Sequence, residues 1–319
     1  MSTWVVASLV VLLAPCAAQP AGAYGWPVKP FNKPHAIRGA FDDPRFHLGA
    51  EGALSAFHFG VDIGARDGTP VYAVAPGFVR RRPADVTVRR KSGRAFGYWH
   101  IRPVVRSGRH VHLHQLLGYV LPGWGHVHFA ESLDGAYRNP LRPRALTPFR
   151  DHTHPTVASV WLRSPDGPTL STAHVAGSID IEADIYDTPP IPPGRPWQVA
   201  RLTPALIWWR ILRGGHGVTD WNLAVDFHFA LMPESLYNWV YAPGTYQNKP
   251  NRPGRYLFWL AHGFDTTSFA DGPYQLEVLA EDTRGNTGST ALDFTIANGS
   301  PPVAPSLAAG MASPFRRPV

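Results

Sequence analysis

The chain is 319 residues long and 44% hydrophobic, enough for two ordinary domains with real cores. Thirty-three prolines and thirty glycines in a chain only 17% charged exclude a bundle of long helices and favour many short strands and turns. Residues 24 to 145 carry 18 Lys and Arg against 8 Asp and Glu, whereas residues 146 to 319 carry 12 against 15, so the net +7 sits in the first half.

In chain order, residues 4 to 14 ("WVVASLVVLLA") form an apolar run too short for a comfortable membrane span. Small residues follow at Ala21 and Ala23, so residues 1–23 read as a secretory signal peptide cut near Ala18 or Ala23, although no Lys or Arg precedes the run. A competing reading makes Cys16 in "LAPC" a lipid attachment site, but proline before that cysteine is unusual. Cys16 is the only cysteine, so the mature chain forms no disulfide. Export without disulfides suits a bacterial envelope, with the protein secreted or held in the periplasm or wall and no membrane span in the mature chain. There the basic half would attract anionic wall polymers or lipid head groups, and export sets nucleic acid aside. A solvated basic surface with no partner accounts for the same charge.

Residues 24 to 57 read mostly as loop with short strands. "GTPVYAVAPGFV" reads as turn, strand, turn, strand, and "DVTVRR", "AFGYWHI" and "RHVHLHQLLGYVLPGWGHVHFAE" continue the pattern. "NPLRPRALTPFRDHTHP" looks like a linker. Past it, "PTVASVWL", "GSIDIEADIYD", "YLFWLAH" and "YQLEVLAEDTRGNTGSTALDFTI" are again strand-like, and in the last Tyr274, Leu276, Val278 and Ala280 alternate toward one face. Between them "ALIWWRILRGGHGV" is less regular and reads as a short helix or an insertion. The fold class is therefore all-β, with one domain over 24–145, a second over 146–297 and a disordered tail over 298–319.

One stretch carries chemistry. In "FHFGVDIGARDGTPVYA" an extended segment puts His58, Gly60 and Asp62 on one side, with Gly60 leaving room for an ion. Imidazole plus carboxylate is a zinc set, but catalytic zinc takes three protein ligands and a water. "GHVHFA" offers His126 and His128 on one strand face, and "GYWHI" offers His100. Each piece alone is a common accident in a chain with fifteen histidines.

Together and in order, these motifs resemble the LytM/lysostaphin-like zinc endopeptidases, peptidase family M23, along roughly residues 36 to 132. H-x-G-x-D-[IL] stands at His58 to Ile63, Y-x-H-[LI] at Tyr98 to Ile101, and [GP]-H-[LV]-H-F at Gly125 to Phe129. The resemblance implies a lysostaphin-type β-sheet peptidase domain, with His58, Asp62 and His128 as ligands of Zn2+. It makes His100 and His126 the catalytic histidines that act on water and substrate, and peptidoglycan peptides the substrate. Zinc would activate water and polarise the amide, while imidazoles would move the proton and steady the oxyanion. "GPYQLEVLAEDTRGN" likewise resembles Ig-like modules of bacterial surface proteins, implying an antiparallel sandwich for the second domain. No H-E-x-x-H and no G-x-S-x-G occurs.

The stretch from His100 to His126 is shorter than the family's, and its usual T-G-x-S-T-G run is reduced to "LPGWG", which leaves the groove's specificity open. Other residues read more plainly: His110, His112 and His114 as an exposed strand face, and His152 and His154 as linker. Asp180, Glu182 and Asp184 read as a solvated strand face rather than a calcium site, and Trp208 and Trp209 as core or interface rather than a sugar platform. Two functions follow. One is a secreted zinc metalloendopeptidase cutting peptidoglycan cross-links. The alternative is a non-catalytic zinc-containing envelope protein that binds wall peptides or activates a partner amidase.

Overall fold

The computed structural model describes residues 22–49, 52–165 and 167–299. Residues 1–21 of the expected signal peptide, with Cys16, and the expected tail beyond 299 lie outside the described residues. Every pairing between strands is antiparallel, and helix among the described residues is limited to Tyr237–Val240 and two 3-10 turns. The chain is all-β, as its turn-rich composition requires. Among the described residues no helix is long and apolar enough to cross a membrane.

The first half is built on a sheet whose strands run in the order Ile37–Gly39, Val61–Gly64, His126–Leu133, Arg94–Trp99, Asp85–Arg89, Gly77–Arg82 and His110–Val111. Val61, Ile63, Val86, Val88, Phe96, Tyr98, Val127 and Phe129 point from it into one core. Val71, Leu117, Val120 and Ile101 close that core from a three-stranded sheet of Pro70–Tyr72, Leu116–Val120 and Ile101–Pro103. Because side chains alternate along a strand, the apolar positions force Asp62, His126 and His128 onto the opposite face. Burying Val127 and Phe129 contributes roughly 1.5–3 kcal/mol each. The strand that carries two histidines is thus fixed by its other side.

The second half packs two sheets around a separate core. One holds Thr156–Arg163, Ser178–Tyr186 and Leu257–Asp265; the other holds His216–Gly217, Leu206–Arg213, Gly272–Glu281 and Thr287–Ile296, with Asn222–Asp226 added beside Leu206–Arg213. Leu206–Arg213 is a strand, not a helix or an insertion. Ile207, Trp209 and Ile211 alternate into the core, but apolar residues on both sides of the period hid the alternation. The acidic strand face is a second correction. Asp180 and Glu182 are buried, not solvated. Asp180 accepts from the Gly263 amide at 2.8 Å, Glu182 pairs with Arg163, and Asp184 pairs with Arg255 at 3.3 Å. Trp209 is core, as its position suggested.

The halves are joined by more than a linker. No strand lies between Ala136–Arg138 and Thr156–Arg163, yet Leu141, Leu146 and Phe149 from this stretch pack into the first core. Phe57 crosses over and is buried in the second core. Asp42 accepts from the Met232 amide and, through its carbonyl, from Tyr241 Oη at 2.7 Å. Asp43 accepts from Thr203 Oγ1 at 2.9 Å, and Asn248 Nδ2 donates to the Arg38 carbonyl at 3.1 Å.

Candidate metal centre

Strand register assembles the site. His128 lies directly opposite Asp62 on one neighbouring strand and opposite Trp99 on the other. His126 is two residues back on the same face. His58 does not sit in an extended segment with Asp62, because the strand starts only at Val61. The bend before it is permitted by Gly60, where a Cβ would fall 2.4 Å from the Phe129 carbonyl and 2.8 Å from His128 Nε2. His100 follows the end of its strand with φ +64, a left-handed residue that breaks the alternation. Its ring comes to 4.7 Å from that of His126 and lies flat on Trp124, 3.6 Å between centroids.

Three ligand atoms converge at the centre. Asp62 Oδ1 is 3.2 Å from His58 Nε2 and 3.3 Å from His128 Nδ1, and those nitrogens are 2.7 Å apart. Ligands at about 2.0–2.1 Å from a tetrahedral zinc stand roughly 3.3–3.4 Å from one another, so the carboxylate distances already match and the two imidazoles need only part slightly. The outward-facing atoms of His58 and Asp62 have partners, while His128 Nε2 is buried without one. His58 Nδ1 lies 2.6 Å from the Ala40 carbonyl, which can only accept, and 2.8 Å from Arg45, which can only donate; the tautomer that donates to the carbonyl turns a bare Nε2 inward. Asp62 Oδ2 accepts from Arg45 at 2.9 Å, leaving Oδ1 free. The His128 ring is wedged by Phe59 at 4.5 Å and Trp99 at 5.0 Å. The donor set fits zinc.

Electrostatics agree with that fit. Burial pushes the Asp62 carboxyl upward, but His58, His126 and Arg45 outweigh it and hold the group well below the usual range. Burial, with lesser help from Arg45, lowers His58, and burial pushes His100 and His128 down to about 3. Without an ion the imidazoles are therefore neutral near pH 7, and their lone pairs are available with no proton to displace.

His126 is set slightly apart, its Nε2 3.4 Å from Asp62 Oδ1. Its Nδ1 lies 2.7 Å from the Trp124 carbonyl and 2.6 Å from Arg38. Donation to the carbonyl again leaves Nε2 bare, as a proton acceptor needs. The Arg38 guanidinium stacks 4.0 Å above Trp197, which comes from the second half of the chain. Burial lowers Arg38 to about 10, which still leaves it charged.

All five residues singled out from the sequence meet here. His110, His112 and His114 stay exposed and apart, as do His152 and His154. The sequence did not reveal Arg38, Arg45 or Trp197. Only the lone arginine in "FDDPRFH", just ahead of the motif, was a local signal for Arg45.

Beyond His128 the same sheet face is paved with small side chains, Ala130 beside Gly97 and Ser132 beside Ala95. Gly97 is required, since a Cβ there would lie 2.1 Å from the Trp99 ring. Arg80, Arg82 and Tyr137 wall this floor into a cavity of about 180 Å3.

Neither a family model nor a curated protein matches the sequence. Among solved structures the chain is similar to a SpoIIQ–SpoIIIAH pore-forming complex, with 20% identity over 38% of this chain and 90% of that one and a TM-score of 0.31. It is similar to a zinc-containing peptidase from Vibrio cholerae, with 22% identity over 37% of this chain, 39% of that one and a TM-score of 0.30. A mutant catalytic domain of the prophage-encoded M23 protein EnpA from Enterococcus faecalis gives 24% identity over 34% and 88%, with a TM-score of 0.26. The chain thus spans well under half of the Vibrio peptidase. Each likeness is confined to less than two fifths of this chain and assigns no activity to it.

Proposed function

We propose that this chain is an exported zinc endopeptidase of the LytM/lysostaphin type that hydrolyses peptide cross-links of bacterial peptidoglycan. In this reading residues 24–145 are the peptidase, and residues 146–297 an Ig-like module serving as spacer or wall anchor. One observation carries it: His58 Nε2, His128 Nδ1 and Asp62 Oδ1 converge, with the outer atoms of His58 and Asp62 held by the Ala40 carbonyl and Arg45, and two further imidazoles flank them. Purely structural zinc has no use for the flanking pair.

Zinc held by His58, Asp62 and His128 would make hydroxide available near neutral pH and would polarise the scissile amide. The chain's own groups do the rest. His126 accepts the proton at Nε2, with its other nitrogen tied to the Trp124 carbonyl. The imidazolium so formed returns that proton to the leaving amine, while His100, stacked on Trp124, hydrogen-bonds the developing oxyanion. The small-residue floor beyond His128 gives an extended peptide room to lie against the sheet.

The test is zinc analysis of the purified full chain, together with mass spectrometry of muropeptides released from several wall types. About one zinc per chain and release without a partner are expected. Zinc without release from any wall would select the non-catalytic envelope role, and absence of zinc from a refolded, zinc-equilibrated sample would remove both.

A further inference from the structure

Behind the metal centre lies a second concavity that the proposed hydrolysis does not use. His128 and Glu131 share the strand His126–Leu133 but stand an odd number of residues apart, so they face opposite sides, roughly 10 Å apart along the strand. Glu131 opens into a cavity of about 520 Å3 lined by Arg90, Arg94, Arg138, Arg142 and Arg144. It is the only acid in that lining.

The Glu131 carboxylate is already saturated. Oε1 accepts from Arg94 Nε at 2.7 Å and from Arg142 at 2.8 Å; Oε2 accepts from Arg142 and from Tyr24 Oη, both at 2.7 Å. Burial pushes this carboxyl up, but the bonds and charge of Arg142, with Arg94 and Tyr24, outweigh burial and keep it ionised. Among the described residues no carboxylate comes within ion-pair distance of the Arg90, Arg138 or Arg144 side chains. Five guanidinium groups against one carboxylate leave the lining at +4. Arg144 is presented by a left-handed residue, φ +65, a conformation that costs a non-glycine residue about 1 kcal/mol. Like charges gathered on a concave wall repel one another unless an anion joins them.

We infer that this basin binds a phosphate-bearing anion and holds it on the back of the sheet while the front face works on its own substrate. All five cations are arginines, whose planar forks bind phosphate oxygens in pairs where lysine offers a point charge. The charge of +4 favours doubly or repeatedly charged phosphate over a single carboxylate. Exposed Phe229 and Leu133 flank the arginines and give an apolar wall to whatever carries the phosphate. The inference stands on these residues and does not need the front face to be a peptidase.

Binding of tripolyphosphate to the full chain, followed by calorimetry, tests it. Wild type and His58→Ala should bind alike. The double substitution Arg138→Gln/Arg144→Gln should weaken binding at least tenfold, the loss expected for two charge-assisted contacts, and citrate should bind at least tenfold more weakly than tripolyphosphate. Unchanged affinity in the double variant, with its thermal midpoint preserved, would overturn the inference. So would loss of binding in His58→Ala, which would place the anion on the metal centre. Arg90→Gln, at an exposed side chain, repeats the test should the double variant fail to fold. Competition by soluble poly(glycerol phosphate) would identify a polymer source, and retention on phosphatidylglycerol vesicles a lipid head group. Failure of tripolyphosphate and both of these to bind would also overturn it.

Discussion

Two clusters in this molecule have the same outline: His58, Asp62 and His128 in the first half, and Asp151, Asp187 and Asp282 where the halves meet. In each, three poorly exposed groups bring ligand atoms within 4.8 Å of one another. In the first, the Ala40 carbonyl and Arg45 hold the outer atoms of His58 and Asp62, and the inner atoms face one another. In the second, the oxygens serve turns. Asp282 accepts from the amides of Arg284 and Asn286 and from Asn286 Nδ2, Asp151 accepts from the Thr153 amide, and Asp187 from the Thr188 amide. Burial and then Asp151 push Asp187 up to about 8, so its carboxyl holds a proton near neutral pH. Proximity of ligating atoms is common to both; imidazole ligands belong to one.

The sharpest test of the contrast is metal content. His58→Ala or Asp62→Ala should reduce zinc from about one per chain to near zero by elemental analysis and take wall hydrolysis to background, whereas Asp187→Asn should leave both intact. Next come the flanking histidines. His126→Ala and His100→Ala should retain zinc and lose about 10²–10⁴-fold in rate. If His126→Ala strips the metal while His128→Ala keeps it, the assignment within "HVH" is reversed.

A smaller effect reaches the site from the far half. Trp197→Ala removes the face on which Arg38 rests beside His126. A cation–π contact of this kind contributes roughly 0.5–2 kcal/mol. Turnover should therefore fall by about tenfold with zinc retained, and Trp197→Phe should restore most of it.

The smallest effect is a pH dependence. Asp187 has a folded value near 8, above the unfolded value of about 3.9, so the fold favours its protonated form. That stability is fully present below about pH 4 and is lost as pH rises toward 8. Asp187→Asn should thus melt a few degrees above wild type at pH 9 and together with it at pH 4. Equal melting at pH 9 would show that the carboxylate is neutralised in some other way.

How much of this was legible in the sequence varies by residue. Asp62, His126 and His128 were readable because their geometry follows from short spacings on two strands, and apolar neighbours such as Val127 and Phe129 fix which way they point; His58 precedes its strand and was readable through its motif. His100 was readable only through its motif, since strand alternation alone would have turned it away. Arg38 and Arg45 were not readable, because nothing local says which imidazole or carboxylate an arginine will meet 88 or 17 residues away. Trp197 was invisible for the same reason. Leu206–Arg213 was misread where "LIWWRIL" blurs the period of two. Asp180 and Glu182 were misread because acidic residues on a strand suggest solvent until their partners are known.

Phe57 has a consequence of its own. It is buried against Phe227, Tyr237 and Tyr241 of the second half, and the next residue along the chain is His58. A proposed ligand of the candidate metal centre is thus anchored by its immediate neighbour in a core to which the rest of the centre does not belong. Exchanging the C-terminal half for an unrelated one, as domain shuffling does, would leave Phe57 without its socket and His58 without its mooring. Any descendant that traded that half would have to reinvent the socket, so the two halves are expected to be inherited together.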